Sequence, residues 1–244
     1  MENPWKELIK KVNDDFIAED QKYIIEDDLK VIQRYNENSF RTEKSRTNYK
    51  VFYRMHPSHY SGNIKKAKVL LLASNPGYQE EEEDTLYKNK SFHKEKIENL
   101  EFKSDTLFNS DKERLQDGNY WEQKTRRLQN DIPGKNIFKD IALIQFFPYH
   151  SKKYRKIAKK YFGNGERYLK TQKFGFDLVK DAIKEGKLII ILRSKKDWLK
   201  AVPELEAHRD KGLVLEVINY RQPSLTPNNF TDKQAYDTLI KTLK

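Results

Sequence analysis

The stretch KVLLLASNPGYQEEEED, from Lys68 to Asp84, decides the fold class. Its four consecutive apolar residues, Val69 to Leu72, are typical of a strand that is buried on both faces of a sheet. Pro76 and Gly77 follow this strand and predict a turn at its carboxyl end. Open α/β sheets bind ligands at this end of their strands, so the turn is the first candidate site.

Four apolar runs of strand length are found along the chain: Ala67–Ala73, Ile141–Phe147, Leu188–Leu192 and Leu213–Ile218. Helical patterns lie between them, and the clearest one ends before Gly186. Strands that alternate with helices predict a parallel sheet. We therefore predict an α/β protein: a three-layer sandwich with a four-stranded, largely parallel sheet flanked by helices.

The two ends of the chain have helical patterns of their own. Asn3 and Pro4 are typical of a helix start, and residues 4–35 predict one or two amphipathic helices. Residues 36–65 predict a long loop, and Phe230 to Leu243 predict a last covering helix. The predicted organisation is an N-terminal helical extension and linker, 1–50, followed by an α/β domain, 51–244.

The composition restricts the classes of partner and of site. Lys and Arg number 48 against 37 Asp and Glu, a net charge of +11, which favours polyanions such as nucleic acid as partners. The chain has no cysteine, which excludes disulfides, thiolate zinc sites and cysteine nucleophiles. No apolar run approaches the roughly 20 residues that span a bilayer. We expect a cytoplasmic protein without a membrane partner.

Polar turns follow three of the predicted strands, at their carboxyl ends. Asn75 lies in the first turn, the second runs from Gln145 to Ser151, and the third from Asn219 to Pro227. An amide in the first turn could orient a water, although Asn-Pro-Gly alone is more often an ordinary turn. Aromatic, amide and imidazole groups in the second turn could hold a planar ring, although Phe146 and Phe147 also fit a core. Three such turns together favour a binding site.

Basic residues follow the second turn and predict a basic helix. They are Lys152, Lys153, Arg155, Lys156, Lys159 and Lys160, with Tyr154 and Tyr161 between them. Such a face suits a phosphate backbone, although a solvated helix face is an equal alternative. The acidic run Glu80 to Asp84 predicts a solvated loop, and the alternative is that one of its carboxylates faces the site. His56 and His59 lack further ligands, so no metal site is predicted.

The first and third turns resemble two motifs of the uracil-DNA glycosylase superfamily. They read Ala73-Ser74-Asn75-Pro76-Gly77 and Gln222-Pro223-Ser224-Leu225, and the resemblance spans about residues 55 to 240. It implies a parallel sheet between helices and an enzyme that flips a base out of DNA and hydrolyses its N-glycosidic bond.

The resemblance also implies roles for individual residues. Asn75 would position the attacking water, and Gln222 would polarise the base carbonyl, with His150 as a substitute electrophile or phosphate ligand. The base would be held by the turn residues Pro76, Gly77 and Tyr78, by the Gln145 amide, and by the ring of Phe146 or Phe147. DNA would contact Lys152, Lys153, Arg155, Lys156, Lys195, Arg221, Ser224, Thr226 and Asn228.

The chain departs from the family at three places. Ser74 interrupts the usual glycine spacing, Gln222 replaces a histidine, and residues 80–135 form an insert without a counterpart. We expect a monofunctional DNA glycosylase without metal or cofactor, which leaves an abasic site and serves repair or defence against foreign modified DNA. The alternatives are a non-catalytic module that binds modified nucleic acid, and a hydrolase of free nucleosides or nucleotides.

Overall fold

The computed structural model describes residues 2–14, 23–78, 90–105, 107, 117–163, 165–232 and 234–244. The strands are β1, Tyr60–Ser61; β2, Val69–Ala73; β3, Ile141–Gln145; β4, Leu188–Ile191; and β5, Val214–Glu216. The helices are α1, Lys6–Asp14; α2, Glu26–Asn38; α3, Glu43–Tyr49; α4, Lys90–Leu100; α5, Asp117–Asp131; α6, Lys170–Lys184; α7, Lys195–Ala201; α8, Glu204–Asp210; and α9, Ala235–Leu243. The predicted acidic loop, Glu80 to Asp84, lies outside the described residues.

The protein is an α/β protein with a mixed five-stranded sheet in the order β1-β3-β2-β4-β5. All four predicted strands are confirmed, each within two residues of its predicted start. Strands β2, β4 and β5 are parallel, and β3 begins beside β2, where the Val69 amide donates to the Asp140 carbonyl. The prediction of four strands missed β1, which pairs antiparallel with β3. Two residues are too few to show an alternating pattern in the sequence.

The strand order puts the carboxyl end of β2 at a topological switch point. After β2 the chain continues to β3, which lies on one side of β2. The later strands β4 and β5 lie on the other side of β2. Ligands of open α/β sheets bind at such a point, outside the carboxyl ends of the strands. The Asn75 turn therefore follows the strand that the topology favours most for binding.

The chain forms two compact units. Unit 1 comprises Met1–His59, Ser74–Glu101 and Gln145–Gly175, and unit 2 comprises Tyr60–Ala73, Phe102–Ile144 and Phe176–Lys244. The boundary predicted at residue 50 lies inside unit 1. The chain passes between the units just beyond β2 and near the end of β3, so the polar turns after these strands belong to unit 1 and the third turn to unit 2.

The core of unit 2 lies around the sheet. Val69, Leu71 and Ile190 are fully buried, and they pack with residues from α5 and α9 such as Leu128 and Leu239. Residues on both faces of β2 are buried, as the apolar run predicts, because helices cover the sheet.

Unit 1 has a buried polar cluster at Asp28 on α2. Its carboxylate accepts hydrogen bonds from the Tyr149 hydroxyl at 2.8 Å, the Thr171 hydroxyl at 2.5 Å and the Lys170 amide at 3.0 Å. Burial raises the pKa of Asp28 to about 6, although the hydrogen bonds act in the opposite direction. These contacts join α2, the second polar turn and the start of α6.

The helix predictions need two corrections. Residues 36–65 contain α3, where the Thr42 side chain accepts a hydrogen bond from the Ser45 amide as an N-cap. Residues 152–158 are not helical, and only Lys159–Tyr161 forms a short 3₁₀ helix, so the basic segment is mostly irregular rather than a helix. Among the described residues, no helix combines the length and the apolar character that crossing a membrane requires.

Candidate functional site

The Asn75 turn is fixed by the segment that follows β3, within unit 1. The Phe147 amide donates to the Ser74 carbonyl at 2.8 Å, and the Ser151 amide donates to the Pro76 carbonyl at 3.4 Å. The Asn75 amide nitrogen Nδ2 donates to the Ser151 hydroxyl at 2.9 Å, the Ser151 carbonyl at 3.2 Å and the Pro76 carbonyl at 2.8 Å. The first and second polar turns therefore meet, as the sequence predicts.

These contacts orient the Asn75 side chain. All of its hydrogen bonds use Nδ2, and Oδ1 makes none to the residues that the structure describes. The residue is half-buried, and Gly77 beside it is exposed. An amide oxygen is an acceptor only, so Oδ1 can accept a hydrogen bond from a water or a ligand hydroxyl.

Gly77 leaves open space at the turn. Its backbone is outside the left-handed region, and a Cβ at this position would meet no atom within 4 Å. The turn thus does not need glycine for its conformation. A side chain at position 77 would occupy the space through which a ligand could approach the backbone closely.

His150 has a different role from the one that the sequence predicts. Its Nδ1 lies 2.6 Å from the Gly77 carbonyl, and its Nε2 lies 3.0 Å from the His56 carbonyl and 3.4 Å from the Ser58 hydroxyl. The ring is buried, and both nitrogens face backbone carbonyls. Polarisation of a base or binding of a phosphate by His150 is therefore not favoured. The ring instead fixes Gly77 beside the 56–58 segment.

Gln145 ends β3 with a buried and unsatisfied amide oxygen. The side chain is 8% exposed, and Oε1 has no hydrogen-bond partner among the described residues. Its backbone amide donates to the His59 carbonyl at 2.7 Å, which fixes the strand end. A buried acceptor without a partner costs about 1–3 kcal/mol, so the position favours a role in binding.

The predicted stacking rings are in the core of unit 1. Phe146 is 1% exposed and Phe147 is 4% exposed, so neither presents a face to a base in this structure. The prediction that the ring of Phe146 or Phe147 stacks on the base is therefore not favoured. Tyr78, also buried, stacks on Phe52 with ring centroids 3.6 Å apart and planes at 5°. Phe52 is half-buried and lies beside the Asn75 turn through Tyr78, so it is the better candidate for stacking.

Sequence reasoning missed Phe52 because it lies in the segment that was predicted to be a loop. Its backbone pairs with the second polar turn, since the Phe52 amide donates to the His150 carbonyl at 2.9 Å. The signal for this pairing is the short Val51-Phe52-Tyr53 run, which is too brief to identify a strand.

The third polar turn, in unit 2, is ordered by two asparagines. The Asn229 side chain accepts from the Asn219 amide at 2.9 Å and donates to the Ser224 carbonyl at 2.8 Å. The Asn219 side chain accepts from the Arg221 and Gln222 amides at 3.1 and 3.0 Å. The backbone of Gln222 is thereby fixed while its side chain remains exposed.

Arg193, just after β4, supports the same turn. Its guanidinium donates to the carbonyls of Tyr220 and Arg221 at 3.0 and 3.1 Å, and to the Tyr120 hydroxyl at 3.3 Å. Sequence reasoning missed this residue, because an arginine after a strand carries no signal of its target. The turn presents Tyr220 and Ile218, which are 39% and 57% exposed.

The remaining predicted DNA contacts of unit 2 differ in their surroundings. Arg221 and Asn228 are exposed, while Ser224 and Thr226 are half-buried. Lys195 is the exception, because its ammonium group forms an ion pair with Glu216 at 2.6 Å. Glu216 also faces Arg209 at 3.5 Å, so Lys195 compensates a buried carboxylate rather than offering a free charge to DNA.

The predicted basic residues of unit 1 are all exposed. Lys152, Lys153, Arg155 and Lys156 follow Ser151 directly, and the Ser151 hydroxyl donates to the Lys153 carbonyl at 3.1 Å. The basic segment therefore begins at the residue that orients Asn75. A site around Asn75 has cations next to it.

No protein-family model matches the chain, and no curated protein or solved structure is significantly similar to it.

Proposed function

We propose that the protein is a DNA glycosylase of the uracil-DNA glycosylase type, in which Asn75 positions the water that attacks the sugar. The observation that carries the proposal is the orientation of the Asn75 amide. Its nitrogen donates to Ser151 and Pro76, and its oxygen is left as an acceptor in the same turn as the exposed Gly77. The proposed fold of this type is a three-layer sandwich around the four parallel strands β2 to β5.

The reaction requires few functional groups from the protein. A water oxygen bonds to C1′ of the deoxyribose, the bond from C1′ to the base nitrogen breaks, and the base leaves with the bonding electrons. The proton of the water passes to solvent or to the departing base, and an abasic site remains. An Asn75 oxygen that accepts one water hydrogen orients a lone pair of the water toward C1′.

Base recognition within unit 1 is assigned to Gln145, whose buried amide oxygen is an acceptor that a donor on the base edge would satisfy. Amide groups read base edges through paired donor and acceptor atoms. This role needs no metal or cofactor. Gln222 belongs to unit 2, where its amide is exposed on a fixed backbone.

The proposal is tested by base release from oligonucleotides that contain uracil, hypoxanthine, thymine mispairs or modified pyrimidines. Abasic sites are scored by alkaline cleavage. We expect release by the natural protein and a loss of at least 100-fold in Asn75→Ala, since misplacing a reactant costs about this much. Asn38→Ala, an exposed asparagine of unit 1 at the end of α2, is the matched control and should retain activity.

Two outcomes would overturn the proposal. Equal release by Asn75→Ala and the natural protein would exclude the water-positioning role. Binding of modified DNA without release from any substrate would favour the alternative of a non-catalytic binding module. The exposed basic segment supports binding in either case, because it does not depend on the reaction.

A further inference from the structure

We infer, on the basis of the proposed function, that the substrate is single-stranded DNA and that it crosses unit 1 on a surface formed by two segments, residues 41–54 and 152–160. These two segments are called the basic-aromatic surface. The first was not among the predicted DNA contacts. It contains α3, which sequence reasoning missed.

The charge of the chain is concentrated on this surface. The first segment has five basic residues and the second has six, against the single acid Glu43. The net charge of the surface thus nearly equals the +11 of the whole chain. All of the basic side chains are exposed except Arg46, which is half-buried. A polyanion is the partner that such a surface attracts.

The two segments lie side by side in unit 1. The Lys153 amide donates to the Asn48 carbonyl at 2.8 Å, and the Arg155 guanidinium lies 5.5 Å from the centre of the Tyr49 ring. Asn36 on α2 fixes the end of α3, because its side chain exchanges two hydrogen bonds of 2.9 Å with the Val51 backbone. The surface is therefore continuous and tied to the rest of the unit.

Aromatic rings alternate with the cations. Tyr49, Phe52 and Tyr154 on the surface are half-buried, as is Phe40, which directly precedes the first segment. Arg46 lies over Phe40 at 5.9 Å, and Lys50 lies over Phe52 at 5.7 Å. Phosphates of a duplex need cations alone, whereas unpaired bases also stack on aromatic rings. The alternation favours a single strand over a duplex.

The surface also leads directly to the candidate catalytic residue. Ser151 accepts from Asn75 and donates to the Lys153 carbonyl, and Phe52 stacks on Tyr78, which follows Gly77. A strand on the basic-aromatic surface would thus lie next to residues that contact the Asn75 turn. A single strand also needs no base pair to be broken before a base enters the site.

The inference is tested by fluorescence anisotropy with a labelled DNA oligonucleotide of about 15 nucleotides, near the upper site size of single-strand modules. The same sequence is used as a duplex and as RNA. Undamaged bases keep this measurement independent of base release. We expect the single DNA strand to bind more tightly than the duplex, and at least as tightly as the RNA strand.

Two pairs of variants locate the surface. One variant carries the four substitutions Lys44→Gln, Lys50→Gln, Lys153→Gln and Lys159→Gln. Its affinity should depend less on salt: the slope of log K against log salt should decrease in magnitude by about 3, because each lost phosphate contact removes about 0.7. Lys139→Gln, Lys200→Gln, Lys211→Gln and Lys241→Gln remove the same charge from exposed positions of unit 2 and should leave the slope nearly unchanged. Phe52→Leu should weaken binding about tenfold with an unchanged slope, and Phe52→Tyr should restore it.

The outcomes separate this inference from the proposed function. Preference for the duplex or for RNA would overturn the inference, as would equal effects of the two fourfold variants, even if bases are released. Single-strand binding that depends on the surface, without release of any base, would support the inference and refute the proposed glycosylase. A folding defect is recognised by thermal unfolding of each variant before it is measured.

Discussion

Asn75 and Ser151 are joined by two hydrogen bonds from one amide nitrogen, at 2.9 Å to the hydroxyl and 3.2 Å to the carbonyl of Ser151. The relationship connects the carboxyl ends of β2 and β3. The same nitrogen also donates to the Pro76 carbonyl at 2.8 Å, so Ser151 supplies two of the three acceptors that set the direction of the Asn75 oxygen.

Ser151→Ala should therefore lower the rate of base release without abolishing it. The variant loses the hydroxyl acceptor and keeps the carbonyl, and a typical hydrogen bond contributes about 0.5–1.5 kcal/mol, or roughly a twofold to tenfold effect. Single-turnover rates at saturating DNA measure this step. Ser104→Ala, in unit 2, is the control. An unchanged rate in Ser151→Ala would show that Asn75 is oriented by other contacts.

The sequence predicted this meeting of turns because both follow apolar runs that are long enough to identify as parallel strands. Val69 to Leu72 and Ile141 to Ile144 are continuous, so their carboxyl ends could be placed at one edge. The sequence did not predict which polar side-chain groups form hydrogen bonds within the protein and which are left for a ligand. His150 and Asn75 are both polar residues after a strand, but the nitrogens of His150 face carbonyls whereas the Asn75 oxygen does not.

The remaining errors have similar physical causes. Phe146 and Phe147 could not be assigned to the core or to a binding face, because a buried ring and a stacking ring have the same composition signal. Lys195 follows β4 as predicted, but its ion pair with Glu216 depends on a contact between elements that are distant in sequence. The basic segment was predicted to be helical. Tyr154, Ile157 and Tyr161 have helical spacing, but they cover only two turns, and so short a pattern does not establish a helix.

Gly175→Ala should destabilise the protein, although alanine favours helices. A Cβ at Gly175 on α6 would lie 2.4 Å from Nε2 of His59, and that ring is fully buried. Overpacking of a core costs about 1–3 kcal/mol, which exceeds the gain of about 1 kcal/mol in helix propensity. Urea unfolding measures the change. Gly77→Ala, where a Cβ meets nothing, should leave the free energy of unfolding nearly unchanged.

The same pair of glycine variants separates stability from function. Gly77→Ala should reduce base release if the ligand approaches the turn closely, while its unfolding curve stays that of the natural protein. Full activity in Gly77→Ala would place the ligand farther from the turn than proposed. Full stability in Gly175→Ala would mean that the His59 ring can move.

Asn229→Ala should destabilise the third turn and unit 2 with it. The side chain is buried and joins the Asn219 amide to the Ser224 carbonyl, so alanine leaves both backbone groups without these partners. Unsatisfied groups of this kind cost about 1–3 kcal/mol each, reduced where water can enter. Thermal unfolding and hydrogen exchange of the Asn219 amide measure the effect. Asn228→Ala, the exposed neighbour, is the control.

Asp28 should give the protein a pH-dependent stability that Asp28→Asn lacks. The pKa of Asp28 is raised from 3.8 to about 6 by burial, so its contribution is fully present below about pH 4 and is lost as the pH rises through 6. A shift of this size corresponds to roughly 3 kcal/mol. The unfolded carboxyl is already more than half ionised at pH 4, so part of this contribution is lost there. The unfolding free energy of the natural protein minus that of Asp28→Asn should therefore be about 2 kcal/mol larger at pH 4 than at pH 7.

The comparison with the variant is needed because His59 acts in the opposite direction. Burial lowers the pKa of His59 to about 3, so its contribution is lost as the pH falls below its unfolded value of 6.5. His59 is present in both proteins, and its effect cancels in the difference. Urea unfolding at intervals between pH 4 and pH 7 gives the curve. A difference that does not change with pH would show that Asp28 is ionised throughout this range, with its three hydrogen bonds outweighing the cost of burial.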